Sequence, residues 1–353
     1  MNKLKQIFES TLGRALTTTL IVALLLSGFF CFDFYKRELN KIKSYYWIYK
    51  GDRAYKKQEL QNAISYYEYG IKLHPRHYKA MYNLANIYVA YEDYYLALKN
   101  YERALEIKPD YDVARIDYAI ILSQTYETDK AIEQYKKLIK TKPRFIKIPF
   151  LVDNKKSYAH NLGVAYYNMG LAYRTKSLLA GLNDGARTRY LYKALESYDQ
   201  AVDVLKSYNS NYNLGLVRQL LQDNNQAGFY YCRAIELEPM NWEAHFNYAV
   251  LLNDLKEYTG SAEEFQKAGL ILGSKGESEK TKYIYDILND VHQKMVINST
   301  SAYDEKIKKA QETEAQNSKY KAGKLLIDMS SDDELKEYFG TCANKELFLG
   351  EEK

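Results

Sequence analysis

Proline, glycine and cysteine are scarce in this chain, at 5, 17 and 3 of 353 residues. So little proline and glycine excludes a collagen-like or low-complexity chain. Three cysteines (Cys31, Cys232 and Cys342) cannot form the framework of a small disulfide-stapled scaffold, and their spacing matches no metal site. A mean hydropathy of −0.51 and a single long apolar run exclude a multi-span membrane protein. The marks of common catalysis are also absent. There is no G-x-x-x-x-G-K-[ST], no G-x-G-x-x-G after a strand pattern and no H-E-x-x-H. Of the five histidines, His74 and His77 sit three apart beside Pro75, where a C-terminal dipole and cap role at a helix end is expected rather than a metal site. No enzyme activity, metal or cofactor is expected.

The apolar run is residues 15–32, ALTTTLIVALLLSGFFCF, without a charge. Its 18 residues are at the lower edge for a spanning helix. Phe34, Tyr35, Tyr45, Tyr46 and Trp47 follow it, as suits an interfacial aromatic region. It reads as a retained transmembrane signal anchor after a short basic segment, 1–14. A cleaved signal peptide is the second reading, with Leu26-Ser27-Gly28 a mediocre cleavage site. A lipoprotein reading built on Cys31 meets Phe29 and Phe30 where small residues are needed. Lys3, Lys5 and Arg14 before the run nearly balance Lys36, Arg37, Lys41 and Lys43 after it, so flanking charge decides orientation poorly. The expectation is a single-pass inner-membrane protein with its N-terminus in the cytoplasm and the rest in the periplasm. Residues 33–43 then read as a juxtamembrane linker.

What the chain has in plenty is tyrosine, 37 residues, and a regular spacing. Pro75, Pro109 and Pro143 lie 34 apart, and Pro239 marks a later unit. Ala63, Ala97, Ala131 and Ala227 lie twelve residues before these prolines, and Tyr67, Tyr101, Tyr135 and Tyr231 lie eight before. Leu84-Ala85, Tyr118-Ala119 and Leu214-Gly215 place a large residue before a small one at a matching position. In these residues the chain resembles the tetratricopeptide repeat family, whose unit is a helix–turn–helix of 34 residues. The resemblance covers about 44–275, as repeats 44–77, 78–111, 112–145, 156–207, 208–241 and 242–275. The fourth carries an insertion at 171–189 near its turn, and a spacer, 146–155, precedes it. The implied fold is all-α: the N-terminal transmembrane helix, then a right-handed solenoid of about six repeats. A capping helix at 276–297 and a polar tail at 298–353, with a short helix near 331–339, complete it. Small residues such as Ala85, Ala97 and Ala104 would let helices approach closely, and most tyrosines would be packing residues. Cys232, inside a second helix, reads as a buried small hydrophobe. The tail either stays loosely ordered or docks, on a partner or back onto the repeats.

The resemblance implies partner proteins bound as peptides or helices along the face of the first helices. Position 6 of the repeat is Asn at Asn83, Asn161, Asn213 and Asn247, and Tyr82 and Asn86 share that face. Asn amides can both donate to and accept from a peptide backbone. The carboxylate clamp of chaperone-binding members is not matched: Ile48 and Asp52, then Tyr82 and Asp117, stand where Lys or Asn is needed. Charge suggests a second surface. Residues 276–353 carry a balance of −4, leaving +9 on 1–275. The basic residues concentrate at Lys136, Lys137, Lys140, Lys142, Arg144, Lys147, Lys155 and Lys156, with Arg174, Lys176, Arg187 and Arg189 in the insertion. Such a patch could meet an acidic partner or anionic lipid, or be a solvated lysine-rich face. No nucleic-acid module is present.

Anchored repeat proteins of this size resemble subunits of bacterial envelope machines for secretion, division or flagellar motors. The expected role is a membrane-tethered, non-catalytic scaffold or adaptor that assembles such a complex. The alternative is a regulatory or accessory subunit of a membrane enzyme in envelope or polysaccharide assembly.

Overall fold

A computed structural model describes residues 11–140, 154–297 and 332–348. These form fourteen α-helices and one short 3-10 turn, and there is no strand among the described residues. The chain divides into two compact units, 1–125 and 126–353.

The first unit holds α1 (Thr11–Lys56), α2 (Leu60–Leu73), α3 (Tyr78–Ala90), α4 (Tyr94–Ile107) and α5 (Asp112–Gln124). Each neighbouring pair packs together. Helix α1 runs unbroken through 33–43, so that stretch is helical rather than a linker. The cause is local. Residues 33–43 are mostly helix formers such as Lys, Arg, Glu and Leu, and no proline interrupts 11–56. The apolar stretch 15–32 lies in the same helix, but most of its side chains fall outside the described residues. Among the described residues, no helix is long and apolar enough to cross a membrane.

The turn inside each repeat is the same device. Gln58, Glu92, Tyr126, Gln222 and Lys256 all have φ between 60° and 68° and occupy the same repeat position. After four of them the next amide bonds back five residues: Glu59 to Ala54, Asp93 to Tyr88, Asp223 to Arg218 and Glu257 to Leu252. This closure satisfies helix-end carbonyls and tolerates side chains in the left-handed conformation. Asp93 and Asp223 then cap the following helix through Leu96 N and Gln226 N. At the far end, His74, Lys108 and Glu238 adopt non-helical ψ of 78–87° before Pro75, Pro109 and Pro239, as a residue preceding proline must.

The second unit holds α6 (Thr128–Lys140), α7 (Asn154–Ser177), α8 (Asp184–Leu205), α9 (Tyr208–Leu220), α10 (Asn224–Leu237), α11 (Trp242–Asp254), α12 (Tyr258–Ser274), α13 (Ser278–Ile297) and α14 (Asp332–Gly340). The 3-10 turn is Lys345–Leu347. The insertion is not a long loop. It lengthens both helices of its repeat, α7 and α8, and leaves only 178–183 between them. Asn183 caps α8 through Ala186 N, and Gly181 supplies the positive φ. Helix α13 covers α12, burying Ile284, Leu288 and Val291 against Phe265, Ala268 and Leu272. Without that cover, α12 would expose its apolar stripe.

In both units the core is a column of tyrosines. Tyr67, Tyr101, Tyr135, Tyr198 and Tyr231 are almost fully buried, as expected of packing residues. Each needs space in the facing helix. A Cβ added at Gly51 would lie 2.7 Å from the Tyr67 ring, and one at Gly215 would lie 2.9 Å from the Tyr231 ring. That is the reason for a small residue at this position of the repeat.

Candidate protein-binding faces

The first-helix face of the first unit centres on Tyr82, Asn83 and Asn86 of α3. All three are half-buried and already bonded within the chain. Tyr82 Oη donates to Asp117 Oδ2 at 2.8 Å. Asn83 Nδ2 donates to Asp52 Oδ1 at 3.2 Å and to Tyr67 Oη at 3.3 Å. Asn86 Oδ1 accepts from Tyr101 Oη, and Tyr67 Oη donates to Asp52 Oδ1 at 2.6 Å. The amides thus fix core tyrosines and join successive first helices. What the face offers is a wall of rings: Tyr111 lies 5.2 Å from both Tyr78 and Tyr82 between centroids. Asp52 and Asp117 stand among them. Burial lifts the Asp117 carboxyl above its usual range, opposed by the Tyr82 hydroxyl. Burial also raises the Tyr82 hydroxyl, so it stays a donor at neutral pH. His77 does not take the C-terminal role expected of it: it caps the N-terminus of α3, accepting Ala80 N on Nδ1, while His74 is the residue at the C-cap of α2.

The second unit repeats the arrangement. Asn247 Nδ2 donates to Tyr212 Oη at 2.7 Å, and Asn213 Nδ2 donates to Tyr167 Oη at 3.2 Å. The Tyr82–Asp117 and Tyr212–Asn247 bonds join the same two repeat positions, 35 residues apart in each case. Asn161 lies half-buried on α7.

The candidate basic residues differ in exposure and in partners. Lys142, Arg144 and Lys147 lie outside the described residues, as does the side chain of Lys155. Lys137 pairs with Glu133 at 2.8 Å, and Lys176 pairs with Asp129. Lys136, Lys140, Lys156, Arg187 and Arg189 are exposed, and Arg174 is half-buried. The structure adds Lys193, which lies 5.5 Å over Tyr173 and 5.9 Å over Tyr190. Lys136 shares the Tyr173 ring and Lys176 the Tyr190 ring. These cations are held over aromatic rings. Only spatial packing of α6, α7 and α8 brings them together, so sequence spacing gave no sign of it.

A second face emerges where residues 332–348 lie against the second helices α10 and α12 and the first helix α11 between them. Phe339 is fully buried beside Leu270 and Ile271, with Trp242 packed against them. Phe348 packs against Tyr248 at 5.6 Å between centroids and fills the space over Gly228. Between them the main chain bonds to buried side chains. Ala343 N donates to Glu264 Oε1 at 2.8 Å. Lys267 Nζ donates to Thr341 O, and Tyr248 Oη donates to Ala343 O. At the margins, Asn344 donates to Glu257 and Lys345 pairs with Glu236.

Beneath this segment lies a fully buried charge cluster. His245 Nε2 faces Pro239 O at 2.9 Å and Nδ1 faces Glu264 Oε2 at 2.6 Å. Lys267 Nζ adds bonds to Glu264 and Glu263. Burial works against the Glu264 carboxylate. The bond from His245, the Lys267 charge and the Ala343 amide outweigh it and hold Glu264 below the usual carboxylate range.

Of the two fates expected for the tail, this part docks back onto the repeats. The cysteine reading is corrected with it. Cys232 is buried, but it is joined to Cys342 by a disulfide, with Cα atoms 5.8 Å apart. Their sequence separation of 110 hid the pairing, because only the docked segment brings Cys342 to α10. Among the described residues, no group of His, Cys, Asp and Glu could hold a metal ion.

Residues 78–111 and 212–270 each match the tetratricopeptide repeat. No curated protein matches the chain by sequence. Similar solved structures include Pseudomonas aeruginosa pilF, 13% identical, TM-score 0.49, covering 67% of this chain and 91% of that one. MamA from Desulfovibrio magneticus RS-1 is 17% identical, TM-score 0.43, covering 56% and 95%. YrrB, described as a repeat protein with an unusual peptide-binding site, is 18% identical, TM-score 0.40, covering 55% and 85%. Likenesses this distant say nothing about what this chain binds.

Proposed function

Since the chain is a tetratricopeptide repeat protein, a fold that typically mediates protein–protein contacts, we propose that it is a membrane-tethered, non-catalytic adaptor. It holds a partner protein on the first-helix face of α3 and α5 in a bacterial envelope complex. The observation that carries the binding reading is the Tyr78–Tyr82–Tyr111 wall with Asp52 and Asp117 beside it. Carboxylates there favour a neutral or basic peptide or helix over an acidic one. Rings give large contact area at low entropic cost.

Tethering rests on the uncharged run 15–32 and on exposed Phe34, Tyr35, Tyr45, Tyr46 and Tyr49 after it. The Cys232–Cys342 disulfide supports an oxidising compartment for the repeats, hence the periplasm, with the N-terminus in the cytoplasm. Two experiments test the reading. Cell fractionation should leave the full-length chain in membranes until detergent is added, while a chain lacking 1–33 should be released; full-length chain in the soluble fraction would refute tethering. Cross-linking and purification from the native membrane should identify a defined protein partner that the Tyr78→Ala/Tyr82→Ala variant loses. Retention by that variant would refute the face.

A further inference from the structure

We propose that the groove between α10 and α12, floored by α11, is a second peptide-binding site, with residues 339–348 as its resident ligand and the Cys232–Cys342 disulfide as its lock. It lies over α10, α11 and α12 and is independent of the first-helix face of α3 and α5 assigned above.

The floor is built to receive main chain. Glu264 and Lys267 are fully buried, and the Ala343 amide and Thr341 carbonyl are among their partners. The Tyr248 hydroxyl spends its proton on the Ala343 carbonyl. These three bonds read backbone, not side chains, so any sequence whose main chain follows the same path could make them. Selectivity comes from the ends. Phe339 enters an apolar pocket beside Leu270 and Ile271, and Phe348 lies over Gly228, where any side chain would overlap its ring. At Gly260, a Cβ would meet Asn344 at 2.8 Å. The site therefore takes a segment that leaves a helix at Gly340, turns at 343–344 and ends in a 3-10 turn, with two aromatic anchors nine residues apart and a small residue between.

Emptying the groove would take from Glu264, Lys267 and Tyr248 their main-chain partners and open the pockets of Phe339 and Phe348 to water, so an occupant is favoured. The chain's own segment has the advantage of high effective concentration. The disulfide makes that advantage covalent. It forms when one thiolate attacks an external disulfide donor, releasing one donor thiol and leaving a mixed disulfide. The second thiolate then displaces the second donor thiol, so two cysteine protons end on two donor thiols. External thiols reverse the sequence and free the segment to exchange for a partner of the same chemistry.

The test uses the full-length chain and a labelled peptide of residues 336–348 with Ser in place of Cys342. The disulfide form should not take up the peptide. The Phe339→Ala/Phe348→Ala/Cys342→Ser variant, unable to fill its own groove, should bind it saturably by fluorescence anisotropy. Adding Tyr248→Phe should weaken that binding several-fold. Circular dichroism establishes that these variants remain helical. A helical variant that binds no peptide refutes the site. The lock is read by non-reducing peptide mapping and amide hydrogen exchange. Oxidised glutathione should yield an intrachain Cys232–Cys342 peptide, and dithiothreitol should then speed exchange across 339–348 at least tenfold. No linked peptide, or exchange indifferent to reduction, refutes the lock. A link between two chains refutes the segment as a ligand of its own groove.

Discussion

The face of α3 and the groove over α11 are both built on tetratricopeptide repeats, 78–111 and 242–275, yet their polar groups are used in opposite ways. On α3, Asn83 and Asn86 bond to core tyrosines and to Asp52, so the face needs no ligand to be satisfied. Over α11, Glu264, Lys267 and Tyr248 find some of their partners only in the main chain of 341–343. One surface is complete and offers its rings to a partner. The other is incomplete without a peptide and already holds one. A repeat array can thus carry an open face and a filled one, and the difference lies in where the buried polar atoms find partners.

The largest expected effect breaks the filled face. Glu264→Leu leaves His245 and Lys267 buried without their shared carboxylate. The cost should be about 3–5 kcal/mol, seen as a lower unfolding midpoint and fast amide exchange in 339–348, with 78–125 unchanged. Acid should act in the same direction. The folded Glu264 value lies below the unfolded one, so its stabilisation is complete above the unfolded value and lost as pH falls through the folded value. In a Trp47→Phe background, Trp242 fluorescence should report release of the segment on acidification.

Gly228→Val tests the aromatic anchor alone. Overpacking of this kind typically costs about 1–3 kcal/mol, and it should expel Phe348 while leaving α10 and α11 folded. Thermal unfolding and exchange at 345–348 would show it. The open face should respond less. Tyr82→Phe removes one hydrogen bond to Asp117, worth about 0.5–1.5 kcal/mol, and should leave exchange in 339–348 untouched. The smallest effect belongs to His77. Burial holds its folded value below the unfolded one, so its contribution is complete above about pH 6.5 and is lost as pH falls through the folded value. Exchange at Ala80 N should rise over that interval, because the protonated ring can no longer accept it.

Much of the scaffold was legible because packing imposes the period. The Pro75–Pro109 spacing, the small residue facing each buried tyrosine and the tyrosines themselves recur for steric reasons that any single repeat displays. The turn conformation was not legible. Gln58, Glu92, Tyr126, Gln222 and Lys256 carry no common side-chain signal, since backbone closure rather than glycine stabilises their positive φ. The lengthening of α7 and α8 was hidden because Gly181, Asn183, Asp184 and Gly185 look the same in a short loop and a long one. On the first-helix face Asn83 and Asn86 could be named from their repeat positions, but not that their amides are engaged with the chain itself. The groove was invisible because Phe339, Cys342 and Phe348 are local to nothing they touch.

The contrast between an open face and a filled one is tested most directly by partner retention. The partner recovered with the native chain should be offered Tyr78→Ala/Tyr82→Ala and Phe339→Ala/Phe348→Ala variants in parallel. Loss of the partner with the first variant and retention with the second is the result this account requires. Retention with the first and loss with the second would contradict it, and would move the partner site to the groove.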